Sequence, residues 1–426
     1  MSSHTSQKSS DGISLRKNML WNTVGSVFYQ GCLWLMTVLV VRLSPDYQNS
    51  GALAFAMSIG NIYTALGTYT MRTYQVSDVT GRYSASNYVA LRLVTVLGGL
   101  TLCLIYALAI SPSISTLLVI GGFLLFKADE AFANVLYGCD QIAMRLDYVG
   151  RSQIVRGTLV VGIFCVAMVF TQNLALTLVL VFLSCLAVTF LYDIPRSRTL
   201  VDSLVPAISR HDCLALLKEC LPSVLGNVVG GLIVSSARQY FGIAYGEAAL
   251  GIYASVATPC VIIQVLAQNL YTPLLGPIAE KYRGGRSKET REASLKLMGL
   301  VLGVALGLSV LLSLASHPLL TTIYGQSIEP YVNVLPLALV VMTGVAMDSV
   351  ICDLLIVFGR LKRTLAVNAV AFAVNALLIV PFTAAWYMNG INLSLMGGYA
   401  IALALGVVWV MREASTPWKN DGDNAA

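Results

Sequence analysis

Charged side chains are scarce: Asp, Glu, Lys and Arg make up 11% of the 426 residues, where a soluble domain carries roughly a quarter. With 57% apolar residues and a mean hydropathy of +0.75, a water-soluble globule is excluded, and most of the apolar excess must face lipid. Histidine is nearly absent. His4, His211 and His317 are scattered along the sequence, so no histidine-based metal constellation follows. The nine cysteines contain no CxxC pairing and mostly sit in apolar runs. That spacing supports neither a disulfide framework nor a zinc site and makes them small core residues. A GxxxxGK[ST] loop is missing as well, so no nucleotide is bound by that route, and no cofactor is implied. The net charge of +6 raises nucleic acid as a partner, but its meaning depends on where the basic residues fall along the apolar runs.

What is present is a series of long apolar stretches. Turn and charge signals divide the sequence into runs near residues 18–42, 50–71, 87–110, 114–137, 153–171 and 173–193, then 220–244, 249–275, 294–316, 332–358, 364–385 and 390–411. Each approximates the roughly 17–25 residues that cross the hydrocarbon core of a bilayer, giving about twelve transmembrane helices. Residues 1–17 are polar, and the run after them is too long for the core of a signal peptide, so it is expected to remain as the first helix.

Loop charges alternate. With an inner N-terminus, the inner loops take Arg72 and Arg82, Arg145 and Arg151, residues 196–218, residues 281–296, and residues 360–363. The outer loops 44–50, 111–113, 171–173, 244–248, 316–331 and 387–391 contain neither Lys nor Arg. This positive-inside pattern makes both termini cytoplasmic. Most of the basic excess is thereby absorbed by orientation and anionic lipid, and nucleic acid is not a partner.

The expected fold is an all-α integral membrane protein with two pseudo-repeated six-helix lobes around a central cavity. Residues 1–17 form a cytoplasmic tail, 18–193 the N-terminal lobe, 194–219 a cytoplasmic linker, 220–411 the C-terminal lobe, and 412–426 a second tail. No loop is long enough to hold a soluble catalytic domain.

The halves repeat each other at an offset near 200 residues. In the first, the sequence runs Arg42-Leu43-Ser44-Pro45-Asp46-Tyr47 and then Gly51-Ala52-Leu53; in the second, Ala237-Arg238-Gln239-Tyr240 is followed by Gly246-Glu247 and Leu250-Gly251-Ile252-Tyr253. Gly51 and Gly251 align. A basic residue, a short outer turn and a glycine opening a small-residue helix are what a duplicated bundle retains.

These stretches resemble the signatures of the polysaccharide-flippase branch of the multidrug/oligosaccharidyl-lipid/polysaccharide exporter superfamily. Arg42 to Tyr47 is similar to the Arg-Leu-Gly-Pro-Glu-Asp-Tyr turn that closes the family's first helix, with Ser44 in place of glycine. Arg238, Gly246, Glu247, Leu250, Gly251 and Tyr253 match the family's seventh-helix pattern, with Ala237 where an acid is frequent. The resemblance implies a flippase for a lipid-linked oligosaccharide, in a bacterial inner membrane, working beside other polysaccharide assembly proteins. Its lobes open alternately inward and outward, with the substrate pyrophosphate and sugars in the cavity and the polyprenyl tail in lipid.

Independently of family, ionisable residues within the spans mark candidate functional positions, because each costs about 2.5–3.5 kcal/mol at a helix centre. The fourth span holds Lys127, Asp129 and Glu130. Lys127 and Glu130 are spaced to pair on one face, and Asp129 points elsewhere. The group is either an internal salt-bridged cluster or the lining of a hydrated cavity. Asp348 and Asp353 lie on the tenth span, where a carboxylate either binds a coupling ion or is hydrogen-bonded between helices.

Arg42 and Arg238 sit toward outer helix ends, where positive-inside bias gives no reason for a cation. Their guanidinium forks suit phosphate oxygens, although Arg42 also fits snorkelling to headgroups. Arg92 and Arg156 lie near inner ends, where snorkelling is the favoured expectation and contact with an incoming headgroup the other. Asn22, Gln30, Asn227 and Ser235, among many glycines and serines, make the first and seventh spans unusually polar and small, which either allows close helix packing or forms a shared cavity wall. Pro273 and Pro277 are expected to end or kink the eighth span.

An ion-coupled multidrug exporter of the same superfamily is the competing reading, kept open by the acids. A membrane polysaccharide polymerase ranks lower, because the longest outer loop, 316–331, contains Glu329 and no basic residue. The chain is therefore expected to be a transporter and not an enzyme.

Overall fold

The computed structural model describes residues 15–78, 81–111 and 113–416. The expected tails, 1–17 and 412–426, lie mostly outside the described residues. Apolar segments that must cross lipid close their backbone hydrogen bonds internally, and every regular element among the described residues is helical. In the first half, α1 is Leu15–Leu43, α2 Gln48–Thr68, α3 Met71–Ser77, α4 Ala85–Ile110, α5 Ile114–Ile142 and α6 Leu146–Thr171. Next, α7, Leu174–Val188, passes through a wide π turn, Thr189–Asp193, into α8, Ile194–Arg198. In the second half, α9 is Arg210–Tyr245, α10 Glu247–Ala257, and a 3-10 turn, Thr258–Cys260, leads into α11, Val261–Arg283. Then come α12, Ser287–Leu314, α13, Ser316–Tyr324, a 3-10 segment, Gln326–Val334, and α14, Leu335–Val357. The last two are α15, Leu361–Trp386, and α16, Met388–Ala414.

Among the described residues, ten helical stretches are long and apolar enough to cross a membrane. The long helices outside that set are α2 and α5, and composition explains both. Lys127, Asp129, Glu130 and Asp140 lie on α5, while α2 is rich in Gly, Ala, Ser and Asn. Both are shielded by protein: α2 is buried almost continuously from Ser50 to Tyr63. Each of the expected spans coincides with a helical stretch.

Three local expectations are corrected. The region expected as a linker is already helical from Arg210. Ser209 caps that helix by accepting from the Asp212 N–H at 3.0 Å, and Leu216 and Leu217 pack with Met71, Tyr88 and Leu136 of the first half. The expected outer loop 316–331 is α13 plus most of the 3-10 segment. In the eighth span the helix runs through Pro273 and Pro277 to Arg283, and the irregularity falls at Thr258–Cys260, around Pro259.

Within the first half α1 lies along α6, α2 against α4 and α5, and α7 against α5 and α6. In the second, α9 pairs with α15, α11 with α12 and α14, and α16 with α14 and α15. The halves meet chiefly where α2 touches α9 and α10. One end of the bundle, here the basic end, gathers the turns bearing Arg145, Arg286 and Arg360; the opposite, far end has the turns after α1, α4, α9 and α15. Duplication is visible at the basic end. After α5, the N–H of Arg145 bonds the carbonyl of Asp140 at 2.8 Å across left-handed Met144; after α14, Arg360 bonds Leu355 at 2.8 Å across left-handed Gly359. Both turns satisfy helix-terminal carbonyls in the same way.

Candidate functional site

The deepest polar cluster belongs to the first half. Arg156 is 2% exposed and points from α6 into the space between α5 and α7. It forms an ion pair with Asp129 and bonds Asp193 at 2.8 Å, Thr189 at 2.5 Å and Ser152 at 3.3 Å. The π turn brings Thr189 and Asp193 to this one guanidinium, and Thr189 also donates to Asp129 at 2.5 Å. A desolvated cation is tolerable here because carboxylates surround it. The expectation that Arg156 snorkels is corrected, and Asp129 is the internal partner of a cation.

Arg92 does not snorkel either. It is fully buried on α4 and donates to the Gly67 carbonyl at 2.8 Å and to the Asn134 side chain at 3.2 Å, while its Nε has no acceptor. Gly67 lies in the last turn of α2, whose carbonyls lack intrahelical donors, so Arg92 caps that helix against its dipole. Arg42 has the same role at the far end. It bonds the Ile323 carbonyl at 2.7 Å and the Thr322 carbonyl at 2.5 Å, at the C-terminus of α13 in the other half. Its fork reaches protein carbonyls rather than headgroups.

Lys127 and Glu130 pair at 2.5 Å, as their spacing predicts. Tyr29 of α1 donates to the same carboxylate, and the Lys127 ammonium lies 5.3 Å from the Phe126 ring. On α14, Asp353 accepts from Tyr271 at 2.8 Å, whereas the recorded contact of Asp348 is the Cys352 thiol at 3.9 Å. No cation pairs with either among the described residues.

Arg238 differs from the other cations within the spans. It is half-buried on α9, its Nε is buried without an acceptor, and its guanidinium has no carboxylate or hydrogen-bond partner among the described residues. One turn further along α9, Gly242 packs directly on Leu250 of α10 and Phe55 of α2. Arg238 therefore lies just beneath the far-end contact between the halves, while Arg42 is engaged in that contact.

Three helices, α1, α9 and α11, expose polar side chains within their spans. Thr23 and Gln30 of α1, Asn227 of α9, and Gln268, Asn269 and Thr272 of α11 are all exposed. Exposed amides within a span are costly against hydrocarbon. Thr23, Gln30 and Asn227 belong to the polar sets of the first and seventh spans, whereas Ser235 of the same set is buried. The α11 contribution was missed, although Gln264, Gln268 and Thr272 recur every fourth residue and so share a face. No group of His, Cys, Asp and Glu among the described residues is arranged to hold a metal.

No family model matches the chain. It is 22% identical over 320 residues, 73% of this chain and 77% of the relative, to the capsular polysaccharide biosynthesis protein CapF of Staphylococcus aureus. An inward-facing multidrug resistance MATE family transporter of the MOP superfamily superposes with a TM-score of 0.70 at 13% identity, covering 93% of this chain and 98% of that one. An outward-facing MATE structure gives 0.60 at 14% identity, covering 96% and 99%. The lipid II flippase MurJ, in an inward closed conformation, gives 0.70 at 11% identity, covering 94% and 88%. The chain is an all-helical, multi-pass membrane protein that shares its fold with these MATE and MurJ structures.

Proposed function

We propose that the protein is a flippase that moves a polyprenyl-pyrophosphate-linked oligosaccharide from the cytoplasmic to the outer leaflet by alternating access, in O-antigen, capsule or exopolysaccharide synthesis. The observation carrying this reading is Arg238. Arg42, Arg92, Lys127 and Arg156 all have protein partners, whereas Arg238 has none among the described residues. A planar, permanently charged fork without a counter-ion suits a phosphate-bearing headgroup. The names of two similar proteins, a capsular polysaccharide biosynthesis protein and a lipid II flippase, support the substrate class.

In this reading the chain makes twelve crossings of a bacterial inner membrane. Residues 18–193 and 220–411 are lobes that rock about the cavity, the basic end and both termini are cytoplasmic, and other polysaccharide assembly proteins are its partners. Two phosphate charges moving outward gain about 4–5 kcal/mol at 100 mV, so no coupling ion is needed energetically.

Replacing Arg238 by Ala is expected to lower glycan export by more than about tenfold at unchanged protein abundance, as for loss of one partner in a desolvated charge contact. Undiminished surface glycan would overturn the assignment. A second reading, a multidrug exporter for cationic compounds, is favoured by Asp348 and Asp353, which have no cation paired with them among the described residues. Vesicles containing the purified protein, offered a lipid-linked glycan or a cationic dye, separate the two.

A further inference from the structure

At the basic end of the first half, three guanidiniums gather around one buried carboxylate. Arg145, the residue before α6, donates to Asp147 through two bonds of 2.9 and 3.1 Å. Arg151, one turn after Asp147 on α6, lies 3.6 Å from the same carboxylate, which has no solvent exposure. The Arg145 guanidinium also lies 3.9 Å from the centre of the Tyr148 ring. Arg196 of α8 approaches that ring as well, at 5.4 Å, and the Tyr192 ring at 5.7 Å. On the other flank, Arg151 lies 5.5 Å from the Trp21 ring of α1. A continuous band of cations and rings thus runs from α8, across the start of α6, to α1.

Charge in this band is unbalanced. Its single carboxylate, Asp147, is taken by Arg145 and Arg151. Arg196 is exposed and has no carboxylate or hydrogen-bond partner among the described residues, and the Arg151 side chain is 47% exposed. The rings attract and orient the guanidiniums but bring no net charge to neutralise them. Immediately toward the span the surface turns apolar: Val155, one turn beyond Arg151, is exposed, and so are Phe190 and Leu191, which precede Tyr192. Trp and Tyr at such a border settle at headgroup level. Cations, then rings, then an apolar strip is the layering of a phospholipid, with its phosphate outermost and its acyl chains inward. A free phosphate ion has nothing to place on the strip.

We propose that Arg151 and Arg196 form a binding site for the phosphate of an anionic phospholipid, whose acyl chains lie along Val155, Phe190 and Leu191. Arg145 and Asp147 position the site without contacting the lipid. A guanidinium offers a fork of donors to phosphate oxygens, and a basic pocket between helices at the membrane border suits an anionic headgroup. The bound lipid ties α8, just past the π turn, to the start of α6, so it stabilises the folded protein. This is a local site and not the general attraction of basic loops to the membrane: Lys288 and Arg291 of α12 are exposed cations outside the band. The site does not depend on what is transported.

Purified full-length protein in a neutral detergent is titrated with tetraoleoyl cardiolipin, and retained lipid is counted by native mass spectrometry. The parent is expected to keep one tightly held lipid, and Arg151→Gln combined with Arg196→Gln to weaken its apparent affinity by about tenfold or more. Lys288→Gln combined with Arg291→Gln removes as much charge and should bind like the parent. No loss in the first pair, or an equal loss in both, overturns the site. In parallel, cardiolipin is expected to raise the parent melting temperature by about 3 °C or more, and to lose most of that effect in the first pair. An equal rise with inorganic phosphate would overturn the lipid, and an equal rise with phosphatidylcholine the role of the cations. If the double variant does not purify, Arg196→Gln alone, which breaks no ion pair, decides the question. Failure of the lipid-linked glycan reading in the two-substrate assay leaves these results unaffected.

Discussion

Arg156 and Asp129 form an ion pair between two helices, 27 residues apart in sequence and almost without solvent exposure. Their cluster contains one cation and two carboxylates, because Asp193 shares the same guanidinium. Removing the cation and removing one acid are therefore unequal perturbations. Arg156→Met strands two buried carboxylates and is expected to cost about 3–5 kcal/mol. Asp129→Asn leaves the Arg156–Asp193 pair intact and should cost far less. Thermal denaturation in detergent checks the order, and equal melting temperatures for the two variants would contradict it.

Arg92 is a buried cation without a carboxylate, so its desolvation is offset only by hydrogen bonds to Gly67 and Asn134. Replacement by Met removes that cost together with the bonds. The change in stability is expected to stay within about 1–2 kcal/mol, well short of that for Arg156→Met. The same thermal series measures it.

Arg42 uses two nitrogens on two successive carbonyls, a task for a planar fork and not for a single ammonium. Arg42→Lys should therefore behave like Arg42→Ala, slowing or speeding transport by an amount of order threefold with little change in apparent substrate affinity. A flippase assay over a range of lipid-linked substrate concentrations separates rate from affinity. A large loss of affinity would return Arg42 to the substrate.

Asp348 has no cation that depends on it among the described residues, so Asp348→Asn should preserve the fold. If glycan export draws on membrane potential, this variant should export within about twofold of the parent at pH 6 and pH 8. Loss of export at both pH values would instead favour an essential coupling role for that carboxylate.

The spans were legible because apolar runs of membrane length leave few alternatives, and the Lys127–Glu130 pair because its spacing lies within one helix. Gly51 and Gly251 could be aligned because the repeat is linear in sequence, although their contact, in which a methyl group on Gly251 would sit 2.7 Å from the Gly51 nitrogen, could not be foreseen. Arg156 and Arg92 were misjudged for a common reason. Their partners, Asp193 and the Gly67 carbonyl, lie on other segments, and end-of-helix position alone favours snorkelling. In the eighth span Pro273 and Pro277 occupy exposed positions on α11, where the helix continues past both, while buried Pro259 coincides with the actual break.

The π turn between α7 and α8 accommodates one residue more than an α-helical path would require. Deleting a single residue from the regular winding of α7, with the wide turn kept, would swing Asp193 by about 100° around the helix axis relative to what precedes the deletion. Arg156 would then lose one carboxylate, and α8 would leave the bundle on a different bearing. Five residues separate the centre of that turn from Ser197, which itself bonds Asp140 at 3.0 Å. A length change here would be read out at both ends of the segment, so this stretch should tolerate substitutions more readily than insertions or deletions.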